Sequence, residues 1–211
     1  FDNTSTRMIL ANHTLNQLNI IDDNISNSKQ YGNVSSVLSL LNKCSTPMGR
    51  RTFQYQLTNP TFNEEWLQDE YRMTSTFLSD DCNHYVDAFR KLMNKVRDIE
   101  KICRQLVSSK IYPSSIYHLY ESINAIQQMN MCLYENSEIC EYLCSEFFEI
   151  QNRQHSFTYI EDICSKINTF LSNHFILDLC TNTNSMNVFP NNIIAPGVSS
   201  ELDRIVTTYQ G

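Results

Sequence analysis

The residue types able to do chemistry are scattered along this chain and do not converge. Cys82-Asn83-His84 places two metal-ligand types within three residues. A zinc site needs a second pair at matching spacing and none is present, so these read as ordinary helix-start residues. Cys140 and Cys144 lie four apart on one helix face, where a free cysteine packs as a small hydrophobe. His118, His155 and His174 fall in separate helical patterns with no local carboxylate–nucleophile partner, and read as partly buried or surface histidines. No G-x-x-x-x-G-K-[ST] phosphate loop occurs, and 4 glycines are too few and too scattered to make one. Nucleotide hydrolysis therefore does not reside in this segment, and no catalytic, cofactor-binding or metal-ligating residue is assigned.

Two basic groupings remain. Arg50 and Arg51 adjoin at the start of a helical pattern. One reading is a basic corner that docks acidic groups or carbonyls of a neighbouring domain. The other is that both cap or solvate their own helix, since adjacent residues point about a third of a turn apart. Both readings stand. Arg90, Lys91, Lys95, Arg97, Lys101 and Arg104 form a basic-leaning stretch interrupted by Asp98 and Glu100. A solvated helix face explains it better than a nucleic-acid groove, because no stacking aromatics are interleaved with the charges.

Composition narrows the class. Of 211 residues, 41% are hydrophobic and 11% aromatic, enough to bury a core and against disorder throughout. With 4 glycines and 5 prolines the chain lacks the turn residues of an all-β protein, which favours helices. A net charge of −7 argues against this being the main grip on a phosphate backbone. The 8 cysteines form no C-x-x-C pair and suit a reducing intracellular compartment, whether nucleus, cytoplasm, organelle or viral factory. The N-x-S/T triplets at Asn3, Asn12, Asn24 and Asn33 are expected by chance in so asparagine-rich a chain. There is no signal peptide, and the apolar runs fall far short of the roughly 18 residues of a membrane span. Beginning at Phe1 and ending at Gly211 inside a helix-like pattern, the sequence reads as an excised fragment.

The elements that would position these residues are helical. Val37, Leu38, Leu40 and Leu41 make one short apolar helix. Thr46 is placed to N-cap the next, with Pro47 at its first position, Phe53 and Leu57 on one face, and Asn59-Pro60 as the stop. Asn63 N-caps another helix, with Glu64 and Glu65 favouring its first turn. Helical spacing continues through Tyr85–Val96, Ile99–Val107, a long run from Pro113, Ser137–Ile150 and Ile160–Leu171. Residues 1–33 are polar with one apolar series, loop-like over 22–32, and 181–192 read as a loop. Val188-Phe189 paired with Ile193-Ile194 is the sole strand signal. The fold class is therefore all-α for the most part, a multi-helix bundle with one small β-ribbon near 188–194.

The wording of two stretches goes further. L-L-N-K-C-S-T-P-M-G-R-R over 40–51, then Leu57 and Asn59-Pro60, resembles the signature that opens the core (lever) region of the MutS family of DNA mismatch-repair proteins. N-I-I-A-P-G-V-S-S-E-L-D-R-I-V over 192–206 is similar to the family's P-G…E-L-D element, which opens the lever helix toward the clamp. Between them, Arg72, the R-D-I-E-K helix and Pro113-Ser114 agree with the family pattern more loosely. Near the start, Leu10-Ala11 and Leu18-Asn19 depart from the usual Leu-Asp and Leu-Glu.

The resemblance implies residues 1–33 as a segment leading into the core and 34–211 as the first part of the core or lever domain, ending before the clamp. Thr46, Pro47, Met48, Gly49, Arg50, Arg51, Pro60, Pro196, Gly197, Glu201, Leu202 and Asp203 are then structural or interdomain motif residues. It also implies a mechanical role between an ATPase domain and mismatch-binding and clamp domains. ATP and magnesium would be bound elsewhere in the parent. Its partners would be other domains of the same protein, mismatched or branched DNA through the parent, and a second subunit, with no membrane. A segment lacking the helices that return after the clamp would expose apolar surface and self-associate. A free-standing helical adaptor unrelated to repair would suit the composition equally, but leaves both motifs unexplained. A direct DNA-binding module would have to show salt-dependent binding.

Overall fold

Capping chemistry sets where the helices begin. The computed structural model describes residues 7–8, 10–21, 36–80, 82–135, 137–147, 153–181, 183 and 191–210. Among them are eleven helices and no strand, an all-α fold. The chain divides into two compact units, Phe1–Val86 and Asp87–Gly211.

The first unit carries α1 (Asn12–Gln17), α2 (Val37–Leu41), α3 (Pro47–Thr58) and α4 (Glu64–Phe77). Ser36 opens α2 through a reciprocal capping box with Ser39. Asn63 caps α4 by accepting from the Trp66 N–H, with Glu64 and Glu65 in the first turn where the helix dipole favours them. Asn19, at φ 52°, turns the chain out of α1. The main chain there accepts from the start of α2, through Val37 N to Asn19 O and Leu38 N to Ile20 O. Leu15, Met73 and Cys82 are buried, whereas Leu40, Leu41 and Leu78 are exposed. The loop read over 22–32 lies outside the described residues.

The second unit is entered along α5 (Asn83–Met93), followed by α6 (Ile99–Val107), α7 (Pro113–Glu135), α8 (Ser137–Phe147), α9 (Arg153–His174), α10 (Leu177–Cys180) and α11 (Ser200–Gln210). Its centre is α7, which packs against α6, α8, α9 and α10. Ile123, Ala125, Ile139, Cys140, Cys164, Leu171 and Cys180 form the core. Ser122 is fully buried; its hydroxyl donates to His118 O and accepts from the Arg97 N–H, tying the turn before α6 to α7. An open apolar groove of about 730 Å³ runs between α6, α7 and α9, lined among others by Leu106, Ile116, Ile167 and Phe170.

Two sequence expectations change here. The ribbon between 188–189 and 193–194 can be followed on one side only, because Val188 and Phe189 lie outside the described residues. Ile194 instead forms an isolated antiparallel bridge with Phe175, since the chain leaving α9 runs straight into the returning segment. The periodicity also says nothing of α10, whose four residues are too short to show a helical period.

Candidate interdomain junctions

The first motif builds the entry to α3. Thr46 sits in extended geometry and its Oγ1 accepts from Gly49 N at 3.0 Å, with Pro47 at the first helical position. A Cβ at Gly49 would lie 2.9 Å from the same Thr46 Oγ1, so any side chain there makes the capping hydroxyl shift. Arg50 is exposed, and its Nε donates to Cys44 O at 3.0 Å, while Asn42 Nδ2 donates to Arg50 O at 3.1 Å. Arg50 thus braces the 42–46 loop against its own helix. Met48 is half-buried and Arg51 exposed. The helix ends at Asn59, before Pro60.

Pro60 has a further task. Its carbonyl accepts from Met8 N at 2.8 Å, and Arg7 donates to Asn59 O at 2.9 Å with its guanidinium 5.3 Å over the Tyr55 ring. Sequence reasoning missed Arg7. Its partners stand about fifty residues away, and nothing local distinguishes it from any other surface arginine.

The second motif builds the entry to α11. Residues 193–195 lie alongside the end of α9, with Ile176 N donating to Ile193 O and Ala195 N to His174 O. Pro196 and Gly197 then turn the chain, Gly197 at φ +86°, a region that disfavours any residue with a Cβ. Asp203 Oδ2 reaches back to accept from Gly197 N at 2.9 Å, and Ser199 Oγ accepts from Leu202 N at 3.4 Å. Glu201 and Asp203 stand in the first turn, on the side the dipole favours. Leu202 is 38% exposed, so it marks a face of α11 that is only partly covered. Both motifs are therefore helix-entry corners, one in each unit.

The scattered chemical residues stay scattered. Cys82 is buried, and the side chains of Asn83 and His84 lie outside the described residues. Cys140 is core, as are Cys164 and Cys180, whose thiols burial pushes up; Cys144's side chain is not among those described. Cys44, Cys82, Cys103, Cys132, Cys140, Cys164 and Cys180 are free thiols. Among the described residues no group of three His, Cys, Asp or Glu side chains could hold a metal ion, and no helix is long and apolar enough to cross a membrane. The six basic residues from Arg90 to Arg104 are all exposed.

His118 has a carboxylate beside it but no nucleophile among the described residues. Its Nδ1 lies 3.6 Å from Glu121 one turn on, a spacing of three that a helix always brings together. The same carboxylate raises the Tyr117 phenol, helped by desolvation. His174 stacks on Phe170 with ring centres 4.1 Å apart, its Nδ1 2.8 Å from Phe170 O. The side chain of His155 lies outside the described residues.

Comparison with known proteins agrees with the motif reading. The family model of MutS domain III matches residues 13–192. The chain is similar to a mutS homologue of Acanthamoeba polyphaga mimivirus named for DNA mismatch repair, at 29% identity over 145 residues, 67% of this chain and 12% of that protein. It is also similar to the DNA mismatch repair protein MutS of Thermotoga petrophila, at 24% over 126 residues, 60% of this chain and 15% of the relative. The corresponding protein of Clostridioides difficile is 24% identical over 151 residues, 71% of this chain and 15% of the relative. The chain thus spans 12% to 15% of the length of these curated relatives. With two motif corners in order and a domain model running through most of the helices of both units, the chain belongs to the MutS family, as its domain III.

Proposed function

We infer that this chain is the lever or core segment of a MutS-like mismatch-repair protein, coupling an ATPase domain mechanically to mismatch-binding and clamp domains. The observation that carries this reading is the domain III match over 13–192 on a segment whose mismatch-repair relatives are several times longer. On this reading residues 1–33 lead into the core and 34–211 form its first part. ATP and magnesium act in another domain, mismatched or branched DNA is held by the parent, and the parent is a dimer. Stacked helices suit the task, because a close-packed core shifts as a body and resists smooth deformation. The two corners are where such a shift would enter and leave a helix: Thr46 to Arg51 with Pro60 in one unit, and Pro196, Gly197, Glu201, Leu202 and Asp203 in the other.

The test belongs in the full-length parent. Thr46→Ala and Asp203→Ala should leave basal ATP hydrolysis and mismatch binding in place while stimulation of hydrolysis by mismatched DNA falls several-fold. Full stimulation in both variants would sink the coupling role. A second expectation concerns the isolated chain, whose apolar groove between α6, α7 and α9 should drive self-association. Sedimentation should show concentration-dependent oligomers that Phe170→Glu reduces, Phe170 being 56% exposed in that groove. A monomer at all concentrations would contradict it.

A further inference from the structure

The α7–α9 pair is held by two kinds of contact with different consequences. The apolar stripe of α7 runs Ile116, Leu119, Ile123, Ile126 and that of α9 runs Ile160, Cys164, Ile167, Leu171. Both advance by alternating threes and fours and consist largely of branched aliphatic residues. A slide of one helical turn, 5.4 Å, would again set aliphatic residue against aliphatic residue. Apart from the Tyr134–Phe157 ring pair at one end of the seam, with centroids 4.5 Å apart, the apolar contacts are therefore nearly indifferent to alignment.

The polar contacts are not. Asn168 Nδ2 donates to Asn124 Oδ1 at 2.8 Å, and Gln127 Nε2 donates to Glu161 Oε1. Along α7 the partners on α9 descend from 168 to 161, so the helices are antiparallel. A one-turn slide would set Asn124 opposite Cys164 or Ser172, and Gln127 opposite Phe157 or Ser165; cysteine and phenylalanine offer no comparable partner, and the serine hydroxyls are shorter than the amide and carboxylate they would replace. Asn130 also crosses the seam, to Phe157 O at 3.1 Å. Main-chain carbonyls recur at every residue, so that bond adds little to alignment.

Glu161 Oε2 and Asn168 Oδ1 are moreover buried and have no hydrogen-bond partner among the described residues. A seam with unsatisfied atoms is a poor source of stability, and well-packed apolar residues would hold the helices at least as firmly. We propose that the Asn124–Asn168 and Gln127–Glu161 pairs are a register lock, which selects one alignment of α7 on α9 among several of similar packing energy. It would keep the central helix pair from slipping when force is applied along it, a device separate from the two corners.

The experiment uses the full 211-residue chain with isoleucine-methyl NMR and thermal melting. All samples carry Phe170→Glu, which limits self-association through the groove, and the otherwise wild-type chain should give one set of methyl resonances. Asn124→Leu with Asn168→Leu should melt no lower than the wild type, yet give two or more sets for Ile116, Ile123, Ile126 and Ile167. Each single variant should melt below the double, because it leaves one half-buried amide unpaired. Gln127→Leu with Glu161→Leu is the second double variant and should split the same resonances. A single set in whichever double variants fold overturns the proposal. Failure of both to fold overturns it too, since the pairs would then be holding the helices together and not choosing between alignments.

Discussion

Gly49 and Gly197 occupy comparable places, one inside the first turn of α3 and one just before α11, and the two corners use glycine for different physical reasons. At Gly49 the backbone is ordinary helix and the constraint is space, because a Cβ would meet the Thr46 hydroxyl that caps the helix. At Gly197 the space is open, with nothing within 4 Å of a Cβ, and the constraint is the backbone itself at φ +86°. The first corner is closed by a side chain that accepts from the glycine N–H three residues on. The second is closed by a side chain that reaches back six residues to the glycine N–H. The same residue type is therefore required for different reasons in the two signature motifs, and the two sites should discriminate differently among substitutions.

Gly49→Val should give the largest effect. Its branched side chain must displace Thr46 Oγ1, losing the cap and adding strain, together about 2 kcal/mol. A urea titration that follows the first unit should show the lower midpoint. Gly197→Ala comes next, at about 1 kcal/mol for a Cβ held at positive φ. Gly197→Asn should lose less, because asparagine tolerates the left-handed region. Equal losses for Ala and Asn at 197 would mean that the backbone conformation is not what the position requires.

The comparison can be sharpened within the first corner. Thr46→Ala alone should cost about 1 kcal/mol through the lost cap. Adding Gly49→Ala to it should then recover about 1 kcal/mol of helix propensity, since the obstructing hydroxyl is gone. The same Gly49→Ala in the wild type should gain little. If the two backgrounds respond alike, the steric account of Gly49 fails.

The smallest effect is alkaline. Burial raises the Cys164 and Cys180 thiols in the folded state. Between the ordinary thiol value, about 8.5, and the raised one, the unfolded chain has lost its protons while the folded chain keeps them. This contribution to stability is full below the ordinary value and declines as pH rises through the raised one. Denaturation midpoints should fall from about pH 8.5 upward, and Cys164→Ala should flatten the decline. A midpoint independent of pH over that range would contradict the buried thiols.

The helix entries were legible because their chemistry is local. Thr46, Pro47, Asn63 and Pro60 act on partners within three or four residues, so type and spacing suffice. The second motif was legible as wording, but Asp203's bond to Gly197 required the turn to be seen. His118 and Glu121 show a local pair passed over. Periodicity marked Leu40, Leu41, Ile163 and Phe170 as apolar faces, and all four are exposed to 37% or more. A stripe states which side of a helix seeks cover; it does not state what covers it.

Residue types and spacing were enough for the all-α class, the capped starts of α3 and α4 and membership of the MutS family, though not for the start of α9, which begins at Arg153, seven residues before the apolar series from Ile160. These rest on capping, on period and on two ordered motifs. Tertiary structure alone decided that Arg7 pins the end of α3, that Ser122 receives Arg97 across 25 residues, and that Asn124 meets Asn168 across 44. Contacts at such separations depend on how whole helices come to rest against one another. Neither the spacing nor the type of a single residue encodes that, because each partner is only one of many polar groups the chain could have brought near.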